Sequence, residues 1–189
     1  KLTAMISFFL SLNFSLFIIG ALVLFEKPQA EFRLKLMSIS ILSCMLFQII
    51  ASLFYLKFSP YTYITGLSLL LLSLFLFLWT AYWMRQKIRR KLHPIYTIDD
   101  MSRILTRGPF KWIRHPFYTS YILSFLGGAI AINQYWIYPL FILPFFIYLF
   151  AARTEEAHLS AGKNGPAYLE YKEKTGRFIP RLLPPDLLK

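Results

Sequence analysis

Three uncharged runs open the chain: Ala4–Phe25, Leu36–Leu56 and Tyr61–Met84, of 22, 21 and 24 residues. As an α-helix each reaches about 30 Å, the thickness of a bilayer's hydrocarbon core. Where water cannot reach the backbone, its amides and carbonyls must bond within their own segment, so these runs predict helices. Ala4–Phe25 is longer than the apolar part of a secretory signal and has no clean small-x-small site behind it, so it is expected to remain as a span. The fourth uncharged run, Phe117–Ala152, has 36 residues. A single helix of that length would extend about 54 Å, well beyond a bilayer. Asn133-Gln134 is the only strongly polar pair near its middle and predicts a helical hairpin turning there, with arms of 16 and 18 residues. Gly127-Gly128 in the first arm leaves room for a neighbouring helix. Pro139 and Pro144 in the second predict bends rather than a break.

Charge decides between four spans and five. The chain carries 21 Lys and Arg against 9 Asp and Glu, a net charge of +12. One basic residue precedes the first span, three (Lys27, Arg33, Lys35) follow it, and Lys57 alone follows the second. Nine lie in Arg85–Arg114 and seven from Arg153 onward. Five spans place nineteen of these on one side and two on the other, whereas four spans divide them nearly evenly. The positive-inside rule therefore predicts five, with the N-terminus outside and both 85–116 and 153–189 in the cytoplasm. The expected fold is an all-α integral membrane protein of five transmembrane helices, the last two a hairpin. Residues 1–84 supply three helices, and 85–189 form the functional region: loop, hairpin 117–152 and C-terminal segment.

Composition agrees with this picture. Hydrophobic residues are 57% and charged residues 16%, against about 45–50% and 25% in soluble domains, which excludes a disordered chain, a coiled coil and an ordinary soluble enzyme. The basic excess is sided and juxtamembrane, densest at Arg85, Lys87, Arg89, Arg90 and Lys91, with no nucleic-acid-binding motif around it. It reads as a topology anchor or as attraction for an anionic headgroup. Cys44 is alone, and His93, His115 and His158 lack the spacing of a helical metal pair, so neither a disulfide nor a metal site is expected. Lys163–Thr175 reads as a short amphipathic helix.

Chemistry is confined to two cytoplasmic segments, because no ionisable residue lies within a span. The first is Arg107–Tyr118. Gly108-Pro109 signals a turn. His115 precedes a proline, which biases it toward extended backbone, and Pro116 suits the first position of the fourth span. Arg114 and His115 then sit at a helix N-terminus, where free amides can hold an anion; the plainer alternative is a snorkelling Arg and a capping His. The second segment is Arg153–Leu159. Its adjacent carboxylates, Glu155 and Glu156, either bind polar or cationic parts of a small cofactor or form a solvated helix end.

In order, the chain reads Gly-x-aromatic-x-x-x-Arg-His-Pro-x-Tyr (108–118), a helical hairpin, Glu155-Glu156, Tyr168-x-x-Tyr171 and Pro180. This resembles the isoprenylcysteine carboxyl methyltransferase family and its relatives among membrane phospholipid methyltransferases, over about Ser102–Pro180. The resemblance implies that S-adenosylmethionine binds in a cytoplasmic pocket made by the two segments. His115, Pro116 and Tyr118 match the family's cofactor segment, which Gly108 and Phe110 open. Phe110 stands where many members have Tyr, keeping the stacking and losing a hydroxyl. Ser102–Leu105 stands where some members place a His-led cofactor stretch, with Ser102 in place of that His. Glu155 matches the cofactor-binding Glu if Leu159 sets the register; a shift of two puts Ala157 there. The family's substrate-binding Arg falls at Ala151, with Arg153 the nearest replacement, a departure from the pattern for prenylcysteine. A lipidic or prenylated acceptor from the bilayer is implied. Arg114 or Arg153 would serve an acceptor carboxylate or thiolate, and Glu156 would serve as base for an amine. Two other readings stand beside this one. Sterol reductases share a related C-terminal cofactor region and use a nicotinamide cofactor, but are much longer. A non-catalytic protein would use the basic loop to dock a partner.

Overall fold

The computed structural model describes residues 2–24, 32–89, 105–162 and 164–181. Six α-helices appear in them: α1 (Leu2–Leu24), α2 (Phe32–Phe54), α3 (Pro60–Arg89), α4 (Pro116–Ile132), α5 (Pro139–Ala161) and α6 (Gly165–Lys174). No strand occurs among the described residues. Two stretches of 27 residues, Pro60–Gln86 and Tyr135–Ala161, are long and apolar enough to cross a membrane. Ala4–Gly20, Ser38–Phe54 and Pro116–Ile132 are apolar and shorter.

The helices outrun the uncharged runs. α2 starts at Phe32, taking in Arg33 and Lys35, and α3 continues through Arg85 and Lys87 to Arg89. Lys and Arg are good helix formers, so a helix that has left the hydrocarbon need not stop at the first charge. Arg90, Lys91 and Ser102 lie outside the described residues. The hairpin turns where expected. Asn133 ends α4 in the left-handed conformation (φ 58°), its amide bonded to the Ala129 carbonyl. A 3-10 turn, Tyr135–Ile137, leads into α5. Pro139 does not bend the second arm. It occupies the first turn of α5, where a missing N–H costs nothing, and only Pro144 lies inside the helix.

Polarity is inverted relative to a water-soluble bundle. Phe8, Leu46, Phe75, Phe146 and Phe150 are exposed, while Asn13, Gln48, Ser52, Ser73, Ser120 and Ser124 are buried. The buried polar groups tie helices together. Ser7 and Ser52 hydroxyls meet at 2.8 Å between α1 and α2. Ser73 on α3 lies 2.7 Å from the Ser120 carbonyl on α4 and 3.2 Å from Asn13 Oδ1 on α1. The Gln48 amide of α2 donates to the Phe125 carbonyl at 2.9 Å. Such links act where lipid outside offers no competing partner.

α3 and α4 approach closely where Gly66 faces Gly127: a Cβ on Gly66 would lie 2.6 Å from the Gly127 carbonyl oxygen and 2.6 Å from the Ala131 Cβ. Gly128 faces Gln48 of α2 in the same manner. Around this crossing Phe14, Phe17, Phe77, Tyr121 and Phe125 form one core drawn from α1, α3 and α4, so packing is continuous across residue 84. The bundle has two distinct ends. At one, the Lys57 amide donates to the Ile132 carbonyl (3.0 Å), and Asn133 and Gln134 side chains donate to the carbonyls of Lys57 (3.2 Å) and Tyr55 (3.0 Å). At the other, the end of α3, the start of α4, the end of α5 and α6 come together.

Candidate active site

Gly108 opens this end. It has φ +60°, and its Cα faces the Trp83 ring so closely that a Cβ would fall 2.1 Å from Trp83 Cδ1. A left-handed backbone against an indole admits only glycine. The 3-10 turn Gly108–Lys111 follows, burying Pro109 and Phe110. The Tyr171 hydroxyl donates to the Phe110 carbonyl at 2.7 Å, which fastens α6 to this turn. Next, Ile113 pairs with Gly176 in an isolated parallel bridge. The amides of Arg114 and His115 donate to the carbonyls of Gly176 (2.8 Å) and Arg177 (3.1 Å). These two amides are therefore taken by the tail and are not free to hold an anion. Nor does His115 cap α4, since its side chain makes no capping bond. Pro116 does begin the helix, and is fully buried.

The adjacent carboxylates part company. Successive residues on a helix point about 100° apart, so Glu156 turns inward, 2% exposed, and Glu155 outward, about half exposed. Glu156 is a hub. Arg177 grips it in a fork, Nε to Oε1 at 3.0 Å and Nη2 to Oε2 at 2.8 Å. Arg114 Nε donates to Oε1 at 3.0 Å, and its Nη1 reaches the carbonyls of Lys172 and Thr175. Lys172 Nζ lies 3.7 Å from Oε2, and His115 Nε2 lies 3.2 Å from Oε1. The uncharged run ends at Ala152, so both carboxylates lie past its apolar part. Burial alone would push the Glu156 carboxyl up. The hydrogen bonds from Arg177 and Arg114 outweigh it and hold the group down at about 2.

His115 is buried between the two carboxylates. Burial pushes its imidazole from the usual 6.5 down to about 4, against the pull of Glu156. The ring is therefore neutral near pH 7 and has one proton to place. With Glu156 ionised, that proton belongs on Nε2, donated to Oε1. Nδ1 is left with a lone pair 3.5 Å from Glu155 Oε2. Two facing acceptors call for a donor, which a ligand, water or the protonated Glu155 carboxyl supplies. Burial also pushes the Glu155 carboxyl up. Tyr118 completes the group: its hydroxyl donates to Glu155 Oε2 at 3.3 Å and its ring stacks on His115, 5.3 Å between centroids and 3° from parallel. Tyr148 of α5 also stacks on Tyr118, at 5.4 Å between centroids. A ligand offering ammonium or hydroxyl donors together with a cation would satisfy both the paired acceptors and the aromatic faces.

Of the residues singled out in the sequence, His115, Tyr118, Glu155, Glu156 and Arg114 converge here, with Pro116 beneath them. Glu155, rather than Ala157, reaches His115. Gly108 and Phe110 set the backbone that carries the segment. Leu105 is half-buried ahead of them, with Ser102 outside the described residues. Arg153 is exposed and has no ion-pair partner among the described residues. Arg177, the fork on Glu156, and Tyr148 are functional residues that no motif in the sequence marks. The signal for Arg177 was the buried side of the Glu155-Glu156 pair, which needs cations from somewhere in the tail.

A family model described as phospholipid methyltransferase matches residues 61–162, covering α3, the 3-10 turn, α4 and α5. No curated protein matches the chain.

Proposed function

Because the chain belongs to the phospholipid methyltransferase family, and is thus a membrane methyltransferase, we propose that it transfers a methyl group from S-adenosylmethionine to a lipidic acceptor taken from the bilayer, in a five-span fold with this site in the cytoplasm. The observation that carries the reading is the meeting of His115 Nδ1, Glu155 and Tyr118 from segments about 40 residues apart, inside the region the family model matches. The donor set fits the cofactor: its amino and ribose hydroxyl groups are donors for the two facing acceptors, and its sulfonium is a cation suited to the Tyr118 and Tyr148 faces. When bound, S-adenosylmethionine supplies a methyl already activated on sulfur.

The chain's own residues then have to orient and desolvate. Glu155 and His115 hold the ligand, while Tyr118 and Tyr148 form an apolar wall that excludes water. Arg114 and Glu156, considered from sequence as acceptor-binding and basic groups, neutralise each other inside the cluster. In this reading they shape the site, and Glu155 is the carboxylate open to ligand. Arg153, exposed on the last third of α5, suits an acceptor that carries an anion. A match to methyltransferases favours methyl transfer over the hydride transfer of a reductase.

Titration calorimetry of purified protein with S-adenosylmethionine tests this. His115→Ala and Glu155→Ala are expected to weaken binding about ten- to a hundredfold, the loss of one polar contact to a charged ligand. Lys57→Ala, at the opposite end of the bundle, is expected to bind as wild type. Unchanged affinity in both site variants would remove the main support for the assignment.

A further inference from the structure

The family match ends at residue 162, yet the tail supplies the fork on Glu156. Three links bind residues 176–178 to the start of α4: the carbonyls of Gly176 and Arg177 accept from Arg114 and His115, and the Thr119 hydroxyl lies 3.0 Å from the Phe178 carbonyl. Phe178 also sets its ring edge on His115, 6.2 Å between centroids. Arg177 is thus delivered to one place, and there it alone among the described residues engages both oxygens of Glu156. A bidentate guanidinium fixes the plane of a carboxylate, which a single contact such as that of Arg114 does not. The plane of Glu156 in turn decides where Oε1 meets His115 Nε2.

We propose that Arg177 is a positioning residue for the methyl-transfer site: by clamping Glu156 from the tail it sets the His115 ring so that Nδ1 faces the ligand side beside Glu155. This rests on the assignment of S-adenosylmethionine binding to His115 and Glu155. Among the described residues, the charged and titratable groups around His115 are Arg114 beside it, Tyr118 from α4, Glu155 and Glu156 from α5, Lys172 and Tyr168 of α6 near Glu156, and Arg177 from the tail. Removing Arg177 deletes a cation from this set and leaves Glu156 less neutralised. His115 should then take up a proton more readily and lose its Nδ1 lone pair.

The test uses the full chain in detergent, with two measurements on Arg177→Gln and Arg177→Lys. Imidazole NMR titration of the ligand-free protein, with His115→Gln identifying the signal, reads the histidine directly. Calorimetry with S-adenosylmethionine reads the site. In Arg177→Gln the His115 midpoint is expected to climb by about one pH unit or more and affinity to fall about tenfold. Arg177→Lys keeps the charge without the fork; its midpoint should stay near wild type and its affinity lie between the other two. A fall in affinity with an unmoved midpoint in Arg177→Gln would make the tail a mere support and overturn the proposal. So would wild-type affinity in either variant, and Arg177→Lys alone decides this should the Gln variant not fold. If wild type itself fails to bind S-adenosylmethionine, the functional assignment falls, while the ligand-free titration still reports whether Arg177 sets His115.

Discussion

A carboxylate almost wholly removed from water stays ionised only where cations and donors replace the solvent, and Glu156 has Arg114, Arg177, Lys172 and His115 around it. That environment has a pH signature. His115 is neutral in the folded protein down to about 4 but takes up a proton near 6.5 when unfolded. Between those values the unfolded chain binds more protons, so stability must fall as pH drops, by at most about 3 kcal/mol from this residue. Glu156 behaves alike in a lower window, from its usual value of 4.5 to about 2. Thermal unfolding in detergent at pH 7.5, 5.5 and 4.5 should show a falling Tm in wild type and a shallower fall in His115→Gln. Since His93 and His158 are common to both proteins, equal slopes would mean that His115 is not held neutral.

Helices were the most legible level of the sequence, because lipid leaves an apolar segment no other way to satisfy its backbone. The hairpin turn at Asn133-Gln134 was legible too, from two polar residues in 36 uncharged ones. Helix ends were not: α3 overran Met84 because nothing in Arg85–Arg89 disfavours a helix. How the elements cross depends on pairs such as Gly66 and Gly127. Gly127-Gly128 suggested a close neighbour, but periodicity could not say which. With 2.6 Å between a Cβ at 66 and backbone oxygen of α4, Gly66→Ala must part the two helices along their longest contact. It should lower Tm by several degrees, on the order of 1–3 kcal/mol for overpacking, with the helix content by circular dichroism retained. A variant as stable as wild type would show that this crossing has slack.

At the scale of the whole molecule, the two ends of the bundle differ in kind. The end holding Lys57 and Asn133 is joined by neutral backbone and amide contacts, and the end holding Glu156 by a charge cluster. The sequence foreshadowed this through its sided Lys and Arg, and so placed the two chemical segments on one face. It could not foreshadow how 176–178 docks, because the links to 113–119 are mostly backbone contacts across about 60 residues, which leave no periodic mark. With Cys44 replaced by Ser, single cysteines at 134 and 165 should label from opposite sides of sealed vesicles, 134 from outside and 165 from inside. The reverse pattern would sink the inside-out assignment, and labelling from one side would sink the five-span count. The tail also imposes an order on biosynthesis. Glu156 precedes Arg177 by 21 residues, so at about 5–20 residues per second it is synthesised roughly 1–4 s before its forked partner. During that interval Glu156 exists without its fork. The carboxylate of the cluster is thus made before the cation that grips both its oxygens.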